Sequence, residues 1–267
     1  MMSPDVAAAE AALLDRAEID ATQMRQTTGE YRDLTIDDAY VIQAAWQEIK
    51  LARGEVLVGH KIGLTSRAMQ ASMNITTPDS GFLTDRMVFE PDTRLVAADF
   101  CDPKLEIELA FVLNTDLAGD DLSADDILDA TEYVVPAIEL IAARSFRRDP
   151  DSGRTRTVVD TIADNAANAG IIMGGTKVAP RDIDLRWVSA LGSRNGVIEE
   201  TGVAAGVLGH PAMGIAWLAR RYHEQGLTLE KGQIILAGSF TRPIDIRAGD
   251  DFHFDYGPLG TFSLGFN

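Results

Sequence analysis

One cysteine, Cys101, stands among 267 residues. That excludes an internal disulfide and any thiolate-rich metal site, and it suits a reducing compartment. Histidine is nearly as scarce, with four in all and none between His60 and His210, so zinc has no imidazole cluster to occupy. No apolar run approaches the roughly 20 residues that span a bilayer. The acidic first twenty residues lack the cationic-then-apolar order of a signal peptide, so a cytoplasmic protein is expected. Cationic residues are outnumbered, 24 Lys and Arg against 41 Asp and Glu, for a net charge of −17. Such a surface disfavours nucleic acid and anionic membranes, and an anionic substrate would need a locally cationic site. There is no P-loop, no G-x-G-x-x-G after a strand, no G-x-S-x-G and no cysteine nucleophile with partners. Nucleotide chemistry and triad hydrolysis have no residues to stand on.

What is present reads as an α+β chain built around a mixed β-sheet roll with N-terminal helices. Residues 4–24 are Ala-rich and helical in pattern, and Thr35 followed by Asp37 and Asp38 caps a second helix that stops at Gly54. Strand patterns follow at 56–62, 87–89, 94–97, 104–112, 133–141, 171–173, 185–191, 197–201, 233–237, 250–256 and 261–266. Asn195-Gly196 marks a tight hairpin. Short helices are expected at 123–130 and from Pro211 to near Gly226. Residues 65–85 read as a loop whose Met69 and Met73 plug the core. Without linker or repeat, the expected organisation is a helical segment, 1–55, packed on one compact unit, 56–267.

The chemistry-bearing stretch is Lys104-Leu-Glu106-Ile-Glu108-Leu-Ala-Phe-Val112. A strand alternates its faces, so both glutamates share one side and Ile107 points into the core. Either this is a solvated acidic edge, or the two like charges are compensated by a hard cation. Glu139, in the apolar run Pro136-Ala-Ile-Glu-Leu-Ile141, must turn outward, pair with an arginine such as Arg144, or ligate that cation. Three carboxylates match Mg²⁺ or Mn²⁺. Lys61, between glycines and apolar residues, either snorkels to solvent or faces the carboxylates as a buried ammonium. Asp79 reads as a turn acid, Asp164 and Asn165 as a cap or outer support. Ser239, Thr241 and Arg242, after a buried strand, form a candidate anion pocket.

Several segments in order carry a resemblance: GHKIGLTSRAMQ at 59–70, PDSG at 78–81, LEIELAFVL at 105–113, PAIELI at 136–141, DTIADNAANAG at 160–170, RNGVIEETGVAAGVLGHP at 194–211 and GSFTRP at 238–243. Together they resemble the hydratase and decarboxylase branch of the fumarylacetoacetase superfamily. The resemblance implies the superfamily's β-roll, with Mg²⁺ or Mn²⁺ on Glu106, Glu108 and Glu139 and with Lys61 and Asp79 acting on the substrate. Ser239, Thr241 and Arg242 would bind that substrate, its distal carboxylate meeting Arg242 or an arginine of the Arg144–Arg156 stretch, and Asp164 would stand behind the site. It implies hydration of a seven-carbon 2-oxo-enedioate in homoprotocatechuate catabolism by a large homo-oligomer. The alternatives it leaves are a five-carbon dienoate hydratase, a 2-oxo-3-enedioate decarboxylase and, in a different class, a non-catalytic cation-binding module. Acylpyruvate hydrolases of the superfamily use a His–Glu pair in their lid, and the gap between His60 and His210 speaks against them. Ser80 departs from the pattern, since these hydratases usually carry an aromatic residue there.

Overall fold

The computed structural model describes residues 2–66, 70–71 and 75–267. Met69 and Met73 lie outside the described residues. Three helices come first: α1 (Pro4–Ile19), α2 (Thr27–Glu30) and α3 (Ile36–Ala52). The Thr35 hydroxyl accepts from the Asp38 N–H, and the Asp38 carboxylate accepts from the Thr35 N–H, so both ends of this capping box are closed. Helix α1 ends before the expected Met24. Ala21 takes a positive φ of 48°, and Met24 instead exchanges backbone hydrogen bonds with Arg144 and Phe146 at 2.8 and 3.0 Å.

Thirteen strands follow among the described residues: β1 (Leu57–Gly63), β2 (Asp79–Thr84), β3 (Val88–Phe89), β4 (Thr93–Leu95), β5 (Lys104–Leu113), β6 (Thr131–Ile141), β7 (Asn168–Met173), β8 (Ser189–Arg194), β9 (Val197–Val203), β10 (Ile234–Leu236), β11 (Ile244–Asp245), β12 (Asp251–Asp255) and β13 (Thr261–Phe266). Helices α4 (Ala124–Asp129), α5 (Val158–Ala163) and α6 (Ala212–Glu224) lie between them. The larger sheet runs β2-β1-β10-β5-β6-β7-β3, with β11 beside β5, and the smaller runs β4-β13-β12-β8-β9. This is the expected mixed α+β roll.

The long β5–β6 hairpin at the centre of the larger sheet is covered on both faces. Odd residues of β5 and even residues of β6, including Ile107, Leu109, Ile138 and Leu140, pack with Phe252, Phe254 and Phe262 of the smaller sheet. On the other face Ala110, Val135 and Ala137 meet Leu14 of α1 and Ile42 and Trp46 of α3. By strand parity Glu106, Glu108 and Glu139 belong to this second, helix-covered side.

Two further expectations need correction, and one helix was missed. Residues 79–84 are not loop but strand β2, paired antiparallel to β1 from Gly63–Asp79 to Leu57–Thr84 and buried along its whole length. Burial on both faces erases the alternation that would have revealed it. Residues 185–187 form a 3₁₀ turn rather than a strand start, because the Asp184 carboxylate accepts from the Arg186 N–H and caps it. Helix α5 was not expected, although Thr157 and Asp160 form a capping box of the same kind as Thr35 and Asp38.

Ile107 is fully buried in the inter-sheet core. Ile107→Glu would bury an unpaired charge at a cost of several kcal/mol, a large share of a domain's ~5–15 kcal/mol stability. Its expected outcome is loss of the cooperative thermal transition in calorimetry.

Candidate metal centre and active site

In the β5–β6 ladder Glu106 stands directly opposite Glu139, with Glu108 two residues along on the same face. One carboxylate oxygen from each of the three lies within 4.8 Å of the others. Glu108 and Glu139 are completely buried and Glu106 half-buried. Glu108 Oε2 accepts the Gly238 N–H at 2.8 Å, and Glu139 Oε1 accepts from Asn168 Nδ2 at 2.7 Å. Glu108 Oε1 and Glu139 Oε2 find no partner among the described residues. Burial, then repulsion from Glu139, pushes Glu106 up to about 7, and burial with both neighbouring glutamates pushes Glu108 well above the carboxylate range. Converging carboxylate oxygens without partners, all hard donors, fit a Mg²⁺- or Mn²⁺-sized cation and offer nothing to zinc's preferred nitrogen and sulfur.

Lys61 comes in from β1. It is 3% exposed, which rules out snorkelling, and its Nζ lies 3.5 Å from Glu139 Oε1. Burial alone would lower its pKa, but Glu139, Asp79, Glu106 and Glu108 together raise it, so it is an ammonium at neutral pH. Asp79 is not a turn acid. It opens β2 opposite Gly63, is 1% exposed, and keeps Oδ1 without a partner among the described residues. Burial raises its pKa, opposed by Lys61. Glycine lets these groups meet: a Cβ on Gly63 would lie 2.3 Å from Asp79 Oδ1 and 2.8 Å from Lys61 Nζ. Gly238, which binds Glu108, has a φ of +113° that side chains rarely adopt.

A cavity of ≈ 240 Å³ brings Lys61, Asp79 and Glu106 together with Arg147, Arg156 and Thr161. Ser239, Thr241 and Arg242 line a neighbouring cavity of ≈ 300 Å³, which shares Gly63, Leu64 and Glu106 with the first. The Ser239 hydroxyl is engaged with Thr241, donating to its carbonyl at 3.0 Å and accepting its N–H at 3.2 Å. The Arg242 guanidinium is 82% exposed and paired with Glu200 at 2.8 Å. Asp164 is a buried ion-pair node, bound to Arg144 Nε at 2.5 Å and Arg156 Nη2 at 3.2 Å. Arg144 is thus taken by Asp164 and is not the partner of Glu139. Asn165 holds β2 by a two-way amide bond to Phe82 at 2.8 and 3.0 Å.

Two supporting residues escaped the sequence reading. Asn168, in the 160–170 motif, is the direct partner of Glu139. The Tyr256 hydroxyl sits between the carbonyls of Glu108 and Ala137, at 2.9 and 2.7 Å, and ties the two glutamate-bearing strands together from the far side. A final-hairpin tyrosine gives no local signal of that contact. Where an aromatic residue was expected at position 80, Tyr40 of α3 supplies one in space, its hydroxyl accepting the Ser80 N–H at 3.1 Å.

The fumarylacetoacetate (FAA) hydrolase C-terminal family model matches residues 52–264. The chain belongs to that family. It is 53% identical over 253 residues, 95% of each chain, to a 2-oxo-hept-4-ene-1,7-dioate hydratase of Escherichia coli. It is 34% identical, over 92% of each chain, to a 2-hydroxyhexa-2,4-dienoate hydratase of Comamonas testosteroni. Among solved structures, the 4-oxalocrotonate decarboxylase of Pseudomonas putida G7, complexed with magnesium and adipate, superposes with a TM-score of 0.94 at 30% identity. That match covers 100% of this chain and 99% of the other.

Chelator-treated protein should gain thermal stability when Mg²⁺ or Mn²⁺ is added, by about 2.7 kcal/mol at a hundredfold excess over Kd. Glu108→Gln should abolish that gain and leave the metal-free protein at least as stable, since one of three repelling carboxylates is gone. A raised folded-state pKa stabilises at low pH and is lost as pH rises through it. Glu106 and Glu108 must shed protons to ligate, so the metal-induced shift should shrink as pH falls below about 7. Scanning fluorimetry reads both effects.

Proposed function

We propose that this chain is a Mg²⁺- or Mn²⁺-dependent hydro-lyase that adds water to 2-oxohept-4-ene-1,7-dioate, giving 4-hydroxy-2-oxoheptane-1,7-dioate. The observation that carries the reading is a three-carboxylate cluster whose Glu106 lines one cavity with the buried Lys61 and Asp79, in a chain 53% identical over 95% of its length to a hydratase for that substrate. Glu106, Glu108 and Glu139 would hold the metal. Bound there, a divalent cation supplies a Lewis acid for the oxygens of a 2-oxo acid and so favours enolate character.

The rest falls to the protein's own groups. The C4=C5 double bond is not conjugated with the 2-oxo group, so water has no electron sink at C4 until a proton leaves C3 and one arrives at C5. Lys61 brings a charged donor and Asp79 an acceptor with a free oxygen, so the pair holds both partners of that transfer. Water then adds at C4 and C3 takes a proton. Atoms balance as substrate plus one water. The helices of the N-terminal segment, 1–55, pack on the unit formed by 56–267 and cover the face that carries the glutamates. Ser239 and Thr241 border the adjoining cavity, where they could meet the 2-oxo acid head group. We place the enzyme in homoprotocatechuate catabolism, in the cytoplasm, as a homo-oligomer. The apolar Trp187, Val197 and Ile198 exposed on and beside the outer β8–β9 hairpin support the last of these.

A decarboxylase is the second reading, favoured by the fold match to the Pseudomonas putida G7 enzyme. An ultraviolet assay with the dienol form of the seven-carbon dioate separates them. Absorbance should fall only with Mg²⁺ or Mn²⁺ and without CO₂. Glu106→Gln should lose at least ~100-fold in rate together with its metal dependence. Release of CO₂ would select the decarboxylase, and full activity in Glu106→Gln would sink the metal assignment.

A further inference from the structure

The cavity around Lys61 is lopsided in charge. Glu106 and Asp79 stand with Lys61 on the strands of the larger sheet, while Arg147, Thr155 and Arg156 come from a separate hairpin. That hairpin is held firmly. Arg148 bridges Thr155, the Arg156 N–H bonds to the Arg147 carbonyl at 2.9 Å, and the Gln26 amide donates to a carbonyl on each arm, Phe146 at 3.0 Å and Arg154 at 2.9 Å. An arginine on it is therefore delivered to the cavity by a fixed element.

The candidate arginines differ in what their donors already do. Arg144 is spent: Nε binds Asp164 at 2.5 Å, and Nη1 and Nη2 both bind the Asn168 carbonyl at 2.9 Å. Arg147 is paired with Asp102 at 2.6 Å. Arg242 is exposed, paired with Glu200, and lines the other cavity. Arg156 is 8% exposed and lines the Lys61 cavity. Its Nη2 reaches Asp164 Oδ2 at 3.2 Å, a carboxylate it shares with Arg144, while Nε and Nη1 have no partner among the described residues. A buried donor left unpaired costs about 1–3 kcal/mol, and more on a charged group. Such a deficit in a cavity wall is where an anionic ligand returns the most.

We propose that Arg156 binds the distal carboxylate of the substrate and so selects dicarboxylic over monocarboxylic 2-oxo acids. The assignment rests on the reading of this cavity as the substrate site. Lys61 and the three glutamates deal with the 2-oxo acid head, which every substrate of the class shares. Arg156 meets only the group that the seven-carbon dioate adds.

Two saturated ligands isolate that group: 2-oxoheptanedioate and 2-oxohexanoate, titrated calorimetrically into the full chain with Mg²⁺ present. Arg156→Gln should weaken the dioate by about tenfold or more and leave the monoacid within about threefold, with Arg156→Lys between. The lysine variant keeps the charge, and it carries the comparison if the glutamine variant does not fold. Equal losses on both ligands would overturn the assignment and mark Arg156 as part of Asp79's surroundings, on which its charge already acts. No loss on either would overturn it as well. If the unaltered protein binds neither ligand, the cavity is not the substrate site, and that reading falls along with the assignment.

Discussion

Three carboxylates crowded together on one strand pair are the constraint around which this protein is arranged. Glu106, Glu108 and Glu139 are held on one face of a strand pair, where burial and the neighbouring glutamates push protons onto Glu106 and Glu108. One ammonium, Lys61, opposes three acids and Asp79 besides. A protein that keeps such a cluster away from water either loses stability to it or fills it with a cation. The two orphan oxygens, on Glu108 and Glu139, locate the deficit.

The fold makes that deficit possible. A two-residue period puts the acids on one side of β5 and β6 while Ile107 and Ile138 bind the smaller sheet on the other. The N-terminal helices cover the acidic side with Trp46, Ile42 and Leu14. Close approach of Lys61 and Asp79 then depends on a glycine at position 63, and the reach of the Gly238 N–H to Glu108 on a backbone turn that only glycine takes easily. Tyr256 locks the pair of strands from behind. Stability and site therefore share residues: the strands that carry the charges are also the centre of the core.

Much of this was legible in the chain. The Glu106-Ile107-Glu108 alternation reports its own geometry because one face is fully apolar, and Thr35 and Asn195-Gly196 announce a cap and a turn by local chemistry. Strand β2 was hidden because residues buried on both sides show no period, so Asp79 looked like a turn acid. Asn168 and Tyr256 act through contacts across the fold, which spacing does not encode. The arginines illustrate the limit best. Arg144, Arg147, Arg156 and Arg242 are equivalent as letters, and only the tally of donors already used separates them.

Whether a divalent cation lies among Glu106, Glu108 and Glu139 is tested most directly by anomalous diffraction from crystals soaked in Mn²⁺. The predicted result is a peak at ligating distance from an oxygen of each glutamate, facing the Lys61 and Asp79 cavity. A map with Mn²⁺ elsewhere, and the three carboxylates neutralised by protons or by lysine and arginine alone, would contradict it.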